Sequence, residues 1–181
     1  MSNPSTPIDA CQTPLPETDQ VCAWLMRHAG LKTVDLERAR RLAQASADDE
    51  LLGLLTRLGL VSEVELARAW AQLLGAPLLL AEAAPALLDP LPVLTERFMR
   101  HYQVVPVGWQ EGGLTVLSAN PAQRYAFQAL AYACGVPVWL AVGPRTEVDT
   151  LIERYYGQGR STMGTLIENL DEQGGALEDR D

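Results

Sequence analysis

The sequence predicts an α+β fold: an N-terminal helical subdomain followed by a small three-stranded sheet domain with flanking helices. Three observations carry this. Apolar residues between Thr33 and Gly75 recur at helical spacing. Two β-rich runs, 104–109 and 114–118, are separated by a Gly-Gly turn, and a third follows at 136–142. Helix-length stretches precede, separate and follow these runs, so the order is helix, hairpin, helix, strand, helix.

A first helix is expected around Val21–Arg27, anchored by Trp24 and Leu25. Thr33 can cap a second, which carries Leu36, Ala39, Leu42 and Ala43 toward one side. Leu51, Leu52, Leu54, Leu55 and Leu58 make a short, leucine-dense third helix that stops at Gly59. Ser62 with Glu65 three residues later forms a capping box. The helix it opens places Leu66, Ala69, Trp70, Leu73 and Leu74 on one stripe, and Gly75 and Pro77 end it. Residues 76–92 contain four prolines and read as a surface connector.

A further helix spans about Thr95–Tyr102 and leads into Val104-Val105-Pro106-Val107-Gly108-Trp109. A turn at Glu111-Gly112-Gly113 joins this run to Leu114–Ser118, a hairpin in which Pro106 demands an edge strand or a bulge. Asn120 is a favoured N-cap and Pro121 suits a first helical position, giving a helix to about Cys134. Val136–Val142 is the third strand, and Gly143-Pro144 starts a last helix striped by Val148, Leu151, Ile152, Tyr155 and Tyr156. The chain therefore divides into an unstructured segment 1–19, a helical subdomain 20–75, the connector 76–92, an α+β subdomain 93–157 and a flexible linker 158–181. Within that linker Met163, Leu166, Ile167 and Leu170 fall at helical spacing, but two turns alone are marginal in water.

Composition excludes several functions. The net charge of -9 opposes a nucleic-acid backbone or an anionic membrane surface. No apolar run is long enough for a membrane span, and the N-terminus lacks signal-peptide character. Cys11, Cys22 and Cys134 are scattered and odd in number, which suits a reducing cytoplasm and neither a disulfide framework nor a zinc site. Lys32 is the sole lysine and has no glycine-rich loop around it, so no phosphate-binding GxxxxGK[ST] motif exists. His28 and His101 lie far apart without partners at metal or triad spacing. Asp48-Asp49-Glu50 favours the N-terminus of the following helix through its dipole. No catalytic residue, cofactor or metal is expected. Trp70 and Trp139 read as core, whereas Trp24 and Trp109 have mixed neighbourhoods that also suit a partner surface.

The phrase Leu54-Leu55-Thr56-Arg57-Leu58-Gly59-Leu60-Val61-Ser62-Glu63 resembles the opening of the N-terminal domain of type II secretion ATPases, the general secretion pathway protein E family. The similarity continues through Arg97-Phe98, Val104–Val107, Gly113–Val116 and Ala119-Asn120-Pro121. It ends on Ile152–Ser161 and Met163-Gly164-Thr165, which look like the end of this domain in xanthomonad-type members. The resemblance implies a non-catalytic module that docks the motor onto the cytoplasmic domain of the inner-membrane platform protein L. It also implies a cytoplasmic location, peripheral to the inner membrane through that partner, and a second contact with the chain's own ATPase motor where one follows.

The same superfamily includes domains that bind cyclic di-GMP through repeated Arg-Leu-Gly motifs. Setting Gly59 on the motif's later glycine puts Glu50-Leu51-Leu52 where Arg-Leu-Gly should stand, and a glutamate there repels a phosphate. Arg57-Leu58-Gly59 spells the triplet in another register. Cyclic di-GMP binding is thus the alternative to a docking role. For docking, contacts are expected on the N-terminal helices, around Trp24, Leu25, Arg38 and Arg41, and the acidic chain favours a partner with a basic face.

Overall fold

A computed structural model describes residues 7–45, 51–80, 82, 91 and 94–157. The helices are α1 (Thr18–His28), α2 (Thr33–Ala45), α3 (Leu51–Arg57), α4 (Glu63–Leu74), α5 (Glu96–Tyr102), α6 (Arg124–Cys134) and α7 (Arg145–Tyr156). The strands are β1 (Val104–Gln110), β2 (Gly113–Ser118) and β3 (Val138–Val142). This is the predicted α+β architecture. Asp48-Asp49-Glu50 and the Met163–Leu170 stripe lie outside the described residues.

Helix ends follow local chemistry. At α4 the Ser62 hydroxyl accepts from the Glu65 N–H at 3.2 Å, and the Glu65 carboxylate accepts from the Ser62 N–H at 2.8 Å. Those bonds hold the Glu65 carboxyl below its ordinary value. Gly75 closes the helix at φ +68°, a left-handed conformation that a side chain disfavours. Thr95 caps α5 by accepting from the Phe98 N–H at 3.2 Å.

Two expected boundaries and one buried stripe move. Thr33 is the first helical residue of α2, because the Lys32 carbonyl already accepts the Leu36 N–H. Asn120 and Pro121 precede α6 instead of opening it. The Asn120 side chain accepts from the Ala122 N–H at 3.2 Å and its carbonyl from the Gln123 N–H, closing a separate turn before Arg124. On α4 the buried arc is Ala67, Ala69, Trp70, Ala71 and Leu74, while Leu73 stays 38% exposed.

The sheet has the order β1-β2-β3, with β1 antiparallel to β2 and β2 parallel to β3. A two-residue turn at Glu111-Gly112, both at positive φ, joins β1 to β2. Helix α6 supplies the crossover that a parallel pair needs. Pro106 meets both conditions set for it: β1 is an edge strand, and its register shifts between Pro106 and Gly108.

The far edge of β3 is covered, which corrects two readings. Residues 7–17, read as unstructured, carry Asp9, which bridges Trp139 antiparallel; the Ala10 N–H donates to the Val138 carbonyl and the Leu140 N–H to that of Ile8. The Arg124 guanidinium ties this segment down by donating to the carbonyls of Cys11 and Thr13. The connector also contributes: Leu78 bridges Val142 in parallel, with the Leu79 N–H 2.8 Å from the Val142 carbonyl. Unpaired backbone groups on β3 outweigh the proline-rich, aperiodic composition of both segments.

Both sheet faces are buried. Val104, Leu114, Val116, Val138, Leu140 and Val142 point to a face covered by α6 and share one hydrophobic cluster with α1–α4. Val105, Val107, Leu117 and Ala141 point the other way, against Met99 of α5 and Val148, Leu151, Ile152 and Tyr155 of α7. The helical and sheet halves are therefore continuous through a common core. Trp70 lies in it, 3% exposed. Trp139 is only half-buried, because its strand position faces away from that core and its indole N–H donates to the Gln110 carbonyl at 2.7 Å.

Candidate docking surface on the N-terminal helices

Leu25 is fully buried at the centre of the α1 core face, beside Val21 and Cys22. It cannot touch a partner without unfolding, so it leaves the set of candidate contacts. Trp24, one residue before it, is half-buried. Its indole N–H donates to the Gln72 side chain of α4 at 3.1 Å, and its ring lies 4.7 Å from that of His28. Burial pushes the Cys22 thiol up, in keeping with a packing role.

Arg38 and Arg41 are both exposed on α2. Helix α2 packs Leu36 and Ala39 inward, and the opposite stripe carries Val34, Arg38, Arg41 and Leu42 at i, i+4, i+7 and i+8. Val34 is 74% exposed and Leu42 is 45% exposed. Leu42, expected on the buried side, thus belongs to the outer stripe, and Val34 is a surface residue that the sequence reading passed over. The helical offset from Val34 to Arg38 and Arg41 was the available signal.

The local charge runs against the global one. Arg27, Lys32, Arg38, Arg40 and Arg41 lie within 27–41, against Asp35 and Glu37 alone, in a chain of net charge -9. Arg40 is paired with Asp19 of α1 at 2.6 Å, which pins α2 to the start of α1. The structure thus places Arg38 and Arg41 together on a basic, partly aliphatic stripe. Trp24 sits apart from them on the seam between α1 and α4. A basic stripe suits an acidic partner face, the reverse of the expectation from net charge.

A cleft of about 310 Å³ opens where α3 and α4 meet the ends of α5, β2 and β3, bordered by Arg57, Glu63, Trp70, His101, Asn120 and Arg145. Glu63 is engaged there, accepting the Thr146 N–H at the start of α7 at 2.9 Å. The His101 ring packs edge-on against Tyr102, 4.6 Å away. His28 lies instead against Trp24. Among the described residues no cluster of three or more His, Cys, Asp or Glu could hold a metal ion. Of the Glu50-Leu51-Leu52 triplet, Glu50 lies outside the described residues, and Leu52 is buried, so its side chain packs where the cyclic di-GMP motif keeps a glycine.

A solved structure of the N-terminal domain of XpsE matches this fold with a TM-score of 0.68 at 39% identity, covering 77% of this chain and 95% of that one. This chain belongs to the family of the XpsE N-terminal domain. Type II secretion system protein E of Xanthomonas campestris pv. campestris is 43% identical over 159 residues, 86% of this chain. The chain spans 28% of the length of that relative. The MshEN domain profile matches residues 74–162. A structure of MshE with cdg shares the fold at 23% identity, with a TM-score of 0.61 over 75% of this chain and 98% of that one. Among the described residues of this XpsE-type domain, no helix is long and apolar enough to cross a membrane.

Proposed function

We propose that this chain is the non-catalytic docking domain of a type II secretion ATPase. It binds the cytoplasmic domain of the inner-membrane platform protein L and so couples the motor to protein secretion. On this reading it works in the cytoplasm, peripheral to the inner membrane through its partner, and its other neighbour is the ATPase motor of the longer protein. The observation that carries the reading is the outer stripe of α2: exposed arginines interleaved with exposed Val34 and Leu42, on a helix anchored by a buried inner face. The lack of a nucleotide-binding lysine loop in the sequence points the same way.

Arginine suits such a surface because its fork pairs two-pronged with carboxylates while its stem covers apolar area. Val34 and Leu42 would add desolvated contact at the centre of the patch, and the arginines speed encounter and set orientation. Calorimetric titration of the chain with the cytoplasmic domain of platform protein L tests this. Saturable heat with a dissociation constant of tens of micromolar or tighter is expected, on the order of the weaker specific associations. No heat with that domain, but saturable heat with cyclic di-GMP, would replace docking by nucleotide sensing.

A further inference from the structure

Helix α6 has an outer face that nothing among the described residues covers. Tyr132 is 92% exposed and Tyr125 is 64% exposed, seven residues apart and so on one side of the helix. Gln128 is exposed on that side, with Ala129 half-buried beside it. The inner side, Ala126, Phe127 and Leu130, is fully buried, so the outer one is held rigidly. The Tyr125 ring is steadied further by Tyr102, 5.7 Å away, which packs 4.8 Å from Phe98. The helix carries one charge, Arg124, whose guanidinium is engaged by the carbonyls of Cys11 and Thr13.

Three features of this face fit a second copy of the chain. It lacks charge in a chain of net charge -9, so two copies meet here without apposing like charges along the helix. A strongly basic or acidic partner, by contrast, finds no complementary group on it. The order Tyr125, Gln128-Ala129, Tyr132 reads the same from either end about a midpoint between Gln128 and Ala129. A two-fold contact needs that kind of self-complementarity. Two antiparallel α6 helices crossing at the midpoint place each Tyr125 against the other copy's Tyr132. At the crossing, Ala129 lets the helices approach closely, and the Gln128 amide both donates and accepts, so it pairs with its own copy.

We infer that this face of α6 is a self-association surface on which two copies of the chain pair antiparallel about Gln128 and Ala129. The four tyrosines of such a pair would bury roughly 600 Å², since a fully covered ring removes about 150–250 Å² from water. With the residues around them the contact comes to about 1,000 Å², the lower end of specific interfaces, so the dimer is weak and reversible. A dissociation constant of about 10–100 µM follows from that size class.

Sedimentation equilibrium of the whole chain, from micromolar to about millimolar, tests this. The native chain should pass from monomer to dimer over that range and no further. Tyr132→Glu should weaken the association at least about tenfold with an unchanged unfolding temperature, because at 92% exposure the ring supports no core. The double variant Tyr125→Lys/Tyr132→Glu brings lysine opposite glutamate twice in the antiparallel pair. It should therefore associate about fivefold more tightly than Tyr132→Glu at low salt and lose that gain at high salt. A chain that stays monomeric throughout overturns the inference, as does a dimer untouched by Tyr132→Glu, which forms through another surface. A double variant no tighter than the single one overturns the antiparallel pairing and the inference with it.

Discussion

The outer faces of α2 and α6 are both exposed, yet they differ in chemistry. On α2 the stripe mixes arginine with aliphatic side chains; on α6 it is tyrosine, alanine and glutamine without a free charge. Each helix is held from the other side, α2 by Leu36 and Ala39 and α6 by Ala126, Phe127 and Leu130. A charged stripe stays hydrated until a complementary face arrives, which suits association that forms and dissolves. An uncharged aromatic face gains from permanent cover. Exposure alone does not identify an interface; the charge around it tells which kind of occupant fits.

The comparison is sharpest in stability, where inner and outer positions should separate cleanly. Phe127→Ala, on the buried side of α6, is expected to cost about 3–5 kcal/mol in denaturant unfolding, because it leaves a cavity in the shared core. Leu25→Ala follows at about 2–5 kcal/mol. That loss would confirm Leu25 as core; a variant with unchanged stability would return it to the surface set.

Ser62→Ala should cost about 1 kcal/mol near neutral pH by removing the cap of α4. The Glu65 carboxyl is held below its ordinary value by Ser62, so the stability it adds is present above the ordinary glutamate pKa. As pH falls through the lowered folded value that stability is lost. The gap between the native chain and Ser62→Ala should therefore narrow in acid, which a pH series of unfolding curves would show. The outer-face changes Arg38→Glu and Tyr132→Ser come last, each within about 0.5 kcal/mol of the native chain.

Much of this fold was legible because its signals are local. The Ser62/Glu65 box, the Gly75 stop, the Glu111-Gly112 turn and the Pro106 bulge each rest on a few neighbouring residues. What escaped depends on distant partners. Nothing in residues 7–17 or 77–79 announces that β3 needs covering, and only the folded sheet shows its unpaired edge. The same holds for Asn120, a good cap by type, whose side chain closes a turn before the helix begins.

The candidate surface was legible in part. Arg38 and Arg41 stand out as charges on an amphipathic helix, but Leu25 and Trp24 are adjacent aliphatic and aromatic positions whose exposure the pattern leaves ambiguous. Packing against α4 resolves it, burying Leu25 and leaving Trp24 half-covered beneath Gln72. Net charge misled as well. A sum over the whole chain hides the cluster of basic residues between Arg27 and Arg41.

The most direct test compares the native chain with Arg38→Glu/Arg41→Glu in a salt-varied titration against the cytoplasmic domain of platform protein L. Both proteins should unfold at the same temperature, while the variant binds about tenfold or more weakly and loses most of its salt dependence. Equal affinity and equal salt dependence would show that α2 is not where the partner is gripped.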